Sequence, residues 1–237
     1  MNGNLSQGLR AAQGLLAVSF CAYLNAVTPT AWADQAQADL QAPLPITAEE
    51  LMPLKPSRGV YLVAEGPETG KEVPFTFEQH GDQWVLTKDG MARHELHRDR
   101  QGNLLIDRET DLREGRQIEY NPPIMLLPAT VDSHTSLTGT TRVIVSNIRG
   151  RSVKYRGSCH WQLDFIGVGP VETPDGTVQA YRLRAKREIR LSLAQISMTI
   201  DFEYVRGTGM VATGIDQVID SLGLFTERDR WRLEQRP

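Results

Sequence analysis

Between Gly167 and Val211, apolar side chains recur at every second position through two long runs. Tyr181, Leu183, Ala185, Ile189, Leu191 and Leu193 share one parity, while Arg182, Arg184, Lys186, Glu188 and Arg190 share the other. Ile196, Met198, Ile200, Phe202 and Tyr204 repeat the pattern, with Thr199, Asp201 and Glu203 between them. Successive side chains of a strand point to opposite faces, so period two predicts strands with one dry and one wet face. The runs from Thr177 to Leu193 and from Ile196 to Val205 therefore predict a long antiparallel hairpin. Asp201 and Glu203 fall on its wet face, where they can pair with the basic stripe of Arg182, Arg184, Lys186 and Arg190. Arg187 breaks the rule, because it shares the dry parity with Ala185 and Ile189. It predicts a bulge, a buried ion pair or a polar point inside a cavity.

The same signature extends upstream. Val153, Tyr155, Gly157, Cys159, Trp161, Leu163 and Phe165 hold one parity without a break, and a strand from Thr140 to Ser146 precedes them. Thr173-Pro174-Asp175-Gly176 carries Pro and Gly where a tight turn uses them. Shorter strands are predicted around Val73–Phe77, Trp84–Leu86, Met91–Arg98 and Leu104–Ile106. Turns at His80-Gly81-Asp82, Lys88-Asp89-Gly90 and Gln101-Gly102-Asn103 separate them, as in a meander. Pro74 has no N–H to donate, so its strand is expected at an edge or starting at Phe75. Arg108 to Arg116 reads as a solvated loop. Asn121-Pro122-Pro123 should stop a strand, and Ile124 to Pro128 reads as a crossover between two halves of one sheet. Ile215, Val218, Ile219 and Leu222 have helical spacing but equally continue a strand. Glu227 to Arg236 reads as a charged, peripheral end. A twisted sheet of about ten strands curls or splits. The expected fold is mainly β, an antiparallel meander forming a curved half-barrel or open barrel, with a two-layer β-sandwich as the alternative.

The front of the chain differs. Residues 1–33 contain no acidic residue, Arg10 flanks an apolar stretch from Ala11 to Val27, and Ala31-Trp32-Ala33 offers small residues for cleavage. This predicts a signal peptide over 1–33 and an exported protein, periplasmic or extracellular. The other reading is a retained membrane anchor, against which the short and interrupted apolar core argues. Phe20 before Cys21 argues against lipidation. Residues 34–58 are rich in Pro, Ala and Gln and read as a linker, in which Thr47 and Glu50 have capping-box spacing. A single antiparallel β domain follows over 59–237. Removal of the signal leaves Cys159 as the one cysteine, so no internal disulfide supports the fold. The remaining charge is 25 basic against 29 acidic side chains, which implies no nucleic-acid partner. No later apolar run is long enough for a transmembrane segment.

Candidates for chemistry are weak. His94-Glu95-Leu96-His97 spaces its histidines three apart in a predicted strand, so they point to opposite faces and read as a charged strand surface, not a metal site. Cys159 and His160 are adjacent in a strand and cannot face each other, so Cys159 reads as a buried structural thiol and His160 as a wet-face residue. No nucleophile elbow, Ser-x-x-Lys motif or phosphate loop is present. Asp107, Glu109, Asp111 and Glu114 match no calcium-loop spacing. No catalytic, cofactor-binding or metal-binding residue is predicted, and no cofactor.

Tyr120-Asn121-Pro122-Pro123 with Leu127-Pro128, Val171-Glu172-Thr173-Pro174-Asp175-Gly176 leading to Ala180, and Tyr204-x-x-Gly207-x-Gly209-x-Val211 resemble a broad group of exported bacterial proteins of unknown function, sometimes called TapB-like. These are similar in outline to the half-barrel lipoprotein carriers of the periplasm. The resemblance implies a curved β-sheet and transfers no catalytic residue. A non-enzymatic envelope protein is therefore expected, binding a lipid or other apolar ligand on the concave face of its sheet. Tyr155, Trp161, Phe165, Tyr181, Arg187, Phe202 and Tyr204 are the candidate contacts. The alternative is a structural or assembly factor that contacts other envelope proteins. A hydrolase of unrecognised type ranks third.

Overall fold

The computed structural model describes residues 44–149, 152–173, 176–221 and 225–235. The expected signal peptide, the first part of the linker, and the turn residues Gly150, Pro174, Asp175 and Gly223 lie outside them. In chain order the elements are β1 (Ile46–Thr47), α1 (Ala48–Leu51), β2 (Ser57–Glu65), β3 (Glu72–His80), β4 (Gln83–Lys88), β5 (Ala92–Arg98), β6 (Leu104–Asp111) and β7 (Arg116–Leu127). Then come β8 (Thr130–Val131), β9 (Ser136–Asn147), β10 (Val153–Thr173), β11 (Gly176–Leu191), β12 (Gln195–Val205), β13 (Gly209–Ser221) and β14 (Phe225–Gln235).

Among the described residues, twelve antiparallel strands close into one barrel. Each strand pairs with its neighbour in sequence, β7 pairs with β9, and β14 returns to β2. The predicted hairpin is β11–β12, with Tyr181 opposite Tyr204 and Leu183 opposite Phe202. The expectation of a half or open barrel is corrected to a closed one, and no sandwich forms. The strand that closes it is β14, which the sequence reading had as a peripheral end. Leu233 is fully buried and pairs with Val63, while Arg228 and Arg230 point to solvent. Closure leaves the barrel sheet without an unpaired edge strand, a gain that no local pattern announces.

Other expectations change for related reasons. Ile124 to Leu127 is no crossover but the second half of β7, paired with β6 through Ile124–Ile106 and Leu127–Leu104. The prolines do not stop β7. Residues 120–123 leave the β6 ladder as an irregularity, while Tyr120 and Asn121 stay paired with β9. Pro74 lies inside β3, which is not an edge. Its carbonyl accepts from Asp89 N, on the side where β4 pairing has already ended at Phe75–Lys88, so the missing N–H removes no ladder bond. Residues 215–221 are strand. Of the expected solvated loop from Arg108 to Arg116, Arg108 to Asp111 belong to β6 and Arg116 begins β7, so only residues 112–115 turn.

The inward face is the apolar one. On β11 the odd positions Leu183, Ala185, Arg187 and Ile189 are buried, and Arg184 pairs outside with Asp201 at 2.7 Å, with Arg182 beside Glu203 at 3.6 Å. This is the reverse of a membrane barrel, which turns its apolar side chains outward. No helix among the described residues is long and apolar enough to cross a membrane.

Eight strands make a barrel that side chains just fill, and twelve leave a wider interior. Part of it is stopped by the segment expected as linker. Thr47 caps α1 in the predicted capping box, with Glu50 N donating to Thr47 Oγ1 at 3.2 Å and Thr47 N donating to Glu50 Oε2 at 3.0 Å. Ala48 and Leu51 are fully buried. Ala48 N donates to Ala129 O and Gly207 N to Glu50 O, so α1 is fastened across the barrel end that carries the β7–β9 connection and the β12–β13 turn. An ion pair of Arg206 with Glu50 adds to this fastening.

Candidate functional site in the barrel lumen

The interior that remains is a cavity of about 210 Å³. It runs from Met52, under the plug, towards the opposite rim, where Met91, Arg113, Glu114 and Leu191 border it. Its wall is mostly aliphatic and aromatic, as in Leu96, Ile106, Ile189, Ile200 and Phe202. The volume exceeds the roughly 150 Å³ of a dry apolar cavity known to admit benzene. Leu112, Ile148, Val153 and Leu193, large apolar side chains that remain exposed, sit on turns and strand ends at this same rim.

A polar cluster interrupts the apolar wall. Arg187 on β11 is 4% exposed and donates from Nη1 to both carboxylate oxygens of Glu109 on β6, each at 3.0 Å. Tyr120 OH donates to Glu109 Oε2 at 2.6 Å, and His94 Nδ1 stands 3.5 Å from Glu109 Oε1. The Arg187 guanidinium also lies 6.0 Å from the Tyr120 ring centre. Burial alone would raise the Glu109 pKa, but Arg187, His94 and Tyr120 outweigh it and hold the carboxyl well below the usual range. Burial, with Lys88 and Arg187 nearby, lowers the His94 pKa despite Glu109. The ion pair is therefore charged at neutral pH and His94 is uncharged, which makes the cluster self-satisfied.

A second polar point lies on another part of the wall. Lys88 is 5% exposed, and its ammonium sits 5.7 Å from the Tyr61 ring centre and 5.8 Å from that of Trp231. Burial pushes its pKa down to about 8, and the charge of Glu109 only partly opposes this. Gln217 on β13 also borders the cavity, and its buried Nε2 has no hydrogen-bond partner.

The seven expected contacts divide. Arg187 and Phe202 border the cavity, the former as the predicted buried ion pair and polar point at once. Tyr181 and Tyr204 are buried core, at 2% and 0% exposure. Tyr155, Trp161 and Phe165 are half-buried and pack against the core without bordering the cavity. Trp161 lies over Gly139, where its ring leaves no room for a Cβ. Cys159 is buried with its pKa pushed up to about 11 by burial, so it is a thiol at neutral pH, and His160 is exposed on the outer wall.

Four lumen residues escape a sequence reading. Glu109 faces inward because Asp107 is an extra residue in β6: Glu95 pairs with Arg108 but Leu96 with Ile106. The shift moves the inward parity from Leu104 and Ile106 to Glu109, so nothing in the local alternation marks it. His94 shares the inward parity of Leu96, which corrects the reading of His94 to His97 as a surface; Glu95 and His97 face out, Glu95 paired with Arg108 and His97 with Asp107 at 2.7 Å. Lys88 shares parity with Trp84 and Leu86, a signal masked by the turn formed with Asp89-Gly90. Gln217 lay in the stretch that read equally as helix. Among the described residues no group of His, Cys, Asp and Glu is arranged to hold a metal ion.

Comparison with known proteins adds little to this geometry. No protein-family model and no curated protein sequence matches the chain. One solved structure that resembles it is a presumed lipoprotein from Parabacteroides distasonis ATCC 8503, with 12% identity, 78% of this chain and 98% of that chain covered, and a TM-score of 0.36. An overlap this loose carries no argument about topology or ligand.

Proposed function

We propose that this chain is a non-enzymatic exported binding protein whose closed barrel holds a lipid or other apolar small molecule in its lumen. The observation that carries the reading is the apolar cavity of about 210 Å³ left inside a barrel stopped at one end by α1. The apolar side chains at the opposite rim offer a wet-to-dry path for such a ligand. The polar outer wall suits a carrier that moves through water, and the signal-peptide pattern of residues 1–33 supports export to the bacterial envelope. Concave, mostly apolar sites with a few fixed polar groups are where small ligands bind, and barrel mouths are a common place for them.

The test is native mass spectrometry of the protein purified from its own envelope without detergent, followed by organic extraction. The expected result is a co-purifying apolar adduct that is lost when Met198→Trp fills the cavity. A clean mass, together with no uptake of a simple long-chain alcohol by the purified protein, overturns the reading and turns the search to protein partners.

A further inference from the structure

We infer that the lumen ligand is an amphiphile with a single acidic head, a carboxylate of the long-chain fatty-acid type, whose head sits against Lys88 and Gln217 while its tail fills the aliphatic part of the cavity. This rests on the lumen-binding reading and goes further by naming the ligand class.

A buried charge is normally paired, because desolvation removes several kcal/mol of hydration that only a counter-ion or hydrogen bonds restore. Arg187 meets that requirement through Glu109. Lys88 does not. Among the described residues no carboxylate pairs with it and no hydrogen bond reaches its ammonium, which lies over the faces of Tyr61 and Trp231. Aromatic faces tolerate a cation but do not replace a counter-ion. Besides Lys88, the charged or titratable groups that line the cavity are His94 on β5, Glu109 on β6 and Arg187 on β11, with Asp111, Arg113, Glu114 and Arg116 at the β6–β7 rim, where Arg113 pairs with Glu68, Arg116 with Glu114, and Asp111 accepts from backbone N–H groups. Tyr61 on β2 and Asp229 on β14 stand behind this lining. Tyr61 donates to Met210 O, and Glu109 is committed to Arg187, Tyr120 and His94. Asp229, opposite Gln217 on the next strand, has an interaction of its own but hydrogen-bonds to neither Lys88 nor Gln217. Gln217 Nε2 is a second buried donor without an acceptor. Two idle donors, one of them cationic, in a mostly apolar cavity whose other buried charges already satisfy one another select a ligand with an anionic acceptor at one end and hydrocarbon behind it. A carboxylate supplies two acceptor oxygens and the missing charge together.

The experiment compares decanoate, decanol and decylamine binding to the delipidated full chain by calorimetry near pH 7. The tails are alike, so the head group alone differs. Decanoate should bind at least about tenfold more tightly than decanol, as expected of a charge-assisted hydrogen bond, and decylamine should bind most weakly. In Lys88→Met, and independently in Lys88→Gln, the ratio of the decanoate and decanol affinities should fall to about one. In the wild type that ratio should also shrink as pH rises through about 8, where the unliganded lysine loses its proton. If decanol binds as well as decanoate, or if both variants keep the preference, the acidic-head inference is overturned while lumen binding stands. If none of the three binds, the lumen reading fails and takes this inference with it. The wild-type comparison needs no variant, so it decides even if both substitutions impair folding.

Discussion

At the scale of single residues the lumen holds two different solutions to buried charge. Arg187 and Glu109 form a hydrogen-bonded pair, so removing one partner strands the other. Glu109→Leu should destabilise the protein by about 3–5 kcal/mol in urea unfolding, and adding Arg187→Met should recover most of that loss. Lys88 is the opposite case, because its charge opposes folding in the empty protein. The unfolded chain holds this proton up to about 10.5 and the folded one only to about 8. Between those values the unfolded state binds more protons, so the contribution of Lys88 to stability rises with pH. Lys88→Met should therefore stabilise the unliganded protein at pH 7 by about 3 kcal/mol, read as a higher urea midpoint with unchanged slope. On the acid side, His94 is kept neutral by burial while its unfolded counterpart takes up a proton below about 6.5. Glu109 loses its advantage as pH falls below its ordinary range. Stability should drop from pH 6.5 downwards, and Glu109→Leu combined with Arg187→Met should flatten the lower part of that fall.

At the scale of elements, small local devices set the geometry around the cavity. Gly139 gives Trp161 the room to lie flat against β9. Gly139→Ala should cost about 1–3 kcal/mol through overpacking, and the cost should vanish in a Trp161→Leu background. The plug depends on one capping box on a helix of a single turn. Thr47→Ala should weaken it by about 1 kcal/mol. Because Gly207 N donates to the Glu50 carbonyl, amide exchange at Gly207 is the local readout, expected to quicken about fivefold. Unchanged exchange there would mean that the packing of Leu51, and not the cap, holds the plug.

At the scale of the molecule, closure is the decisive property. The wall is complete only when β14 joins β13 to β2. Deleting residues 225–237 should leave two long unpaired edges. The expected result is loss of a single cooperative thermal transition and appearance of soluble aggregate by size-exclusion chromatography. A truncated chain that stayed monomeric with an undiminished melting temperature would show that the barrel does not need its seam. Closure also defines the site, since the lumen draws its wall from β4, β5, β6, β11, β12 and β13 at once.

The amino-acid sequence alone determined the antiparallel meander, the β11–β12 hairpin and its inner face, the capping box at Thr47, and the oddity of Arg187. All of these rest on period-two alternation or on turn and cap chemistry within a few residues, which a local reading can see. Tertiary structure alone decided that the sheet closes, that Pro122-Pro123 lies within a strand, and that Glu109, His94, Lys88 and Gln217 share one lumen with Arg187. The partner of Arg187 lies 78 positions away in sequence and reaches it only because one extra residue in β6 turns Glu109 inward. A single inserted residue inverts every side chain beyond it, so which face is the inner one depends on pairing between strands, not on either strand alone.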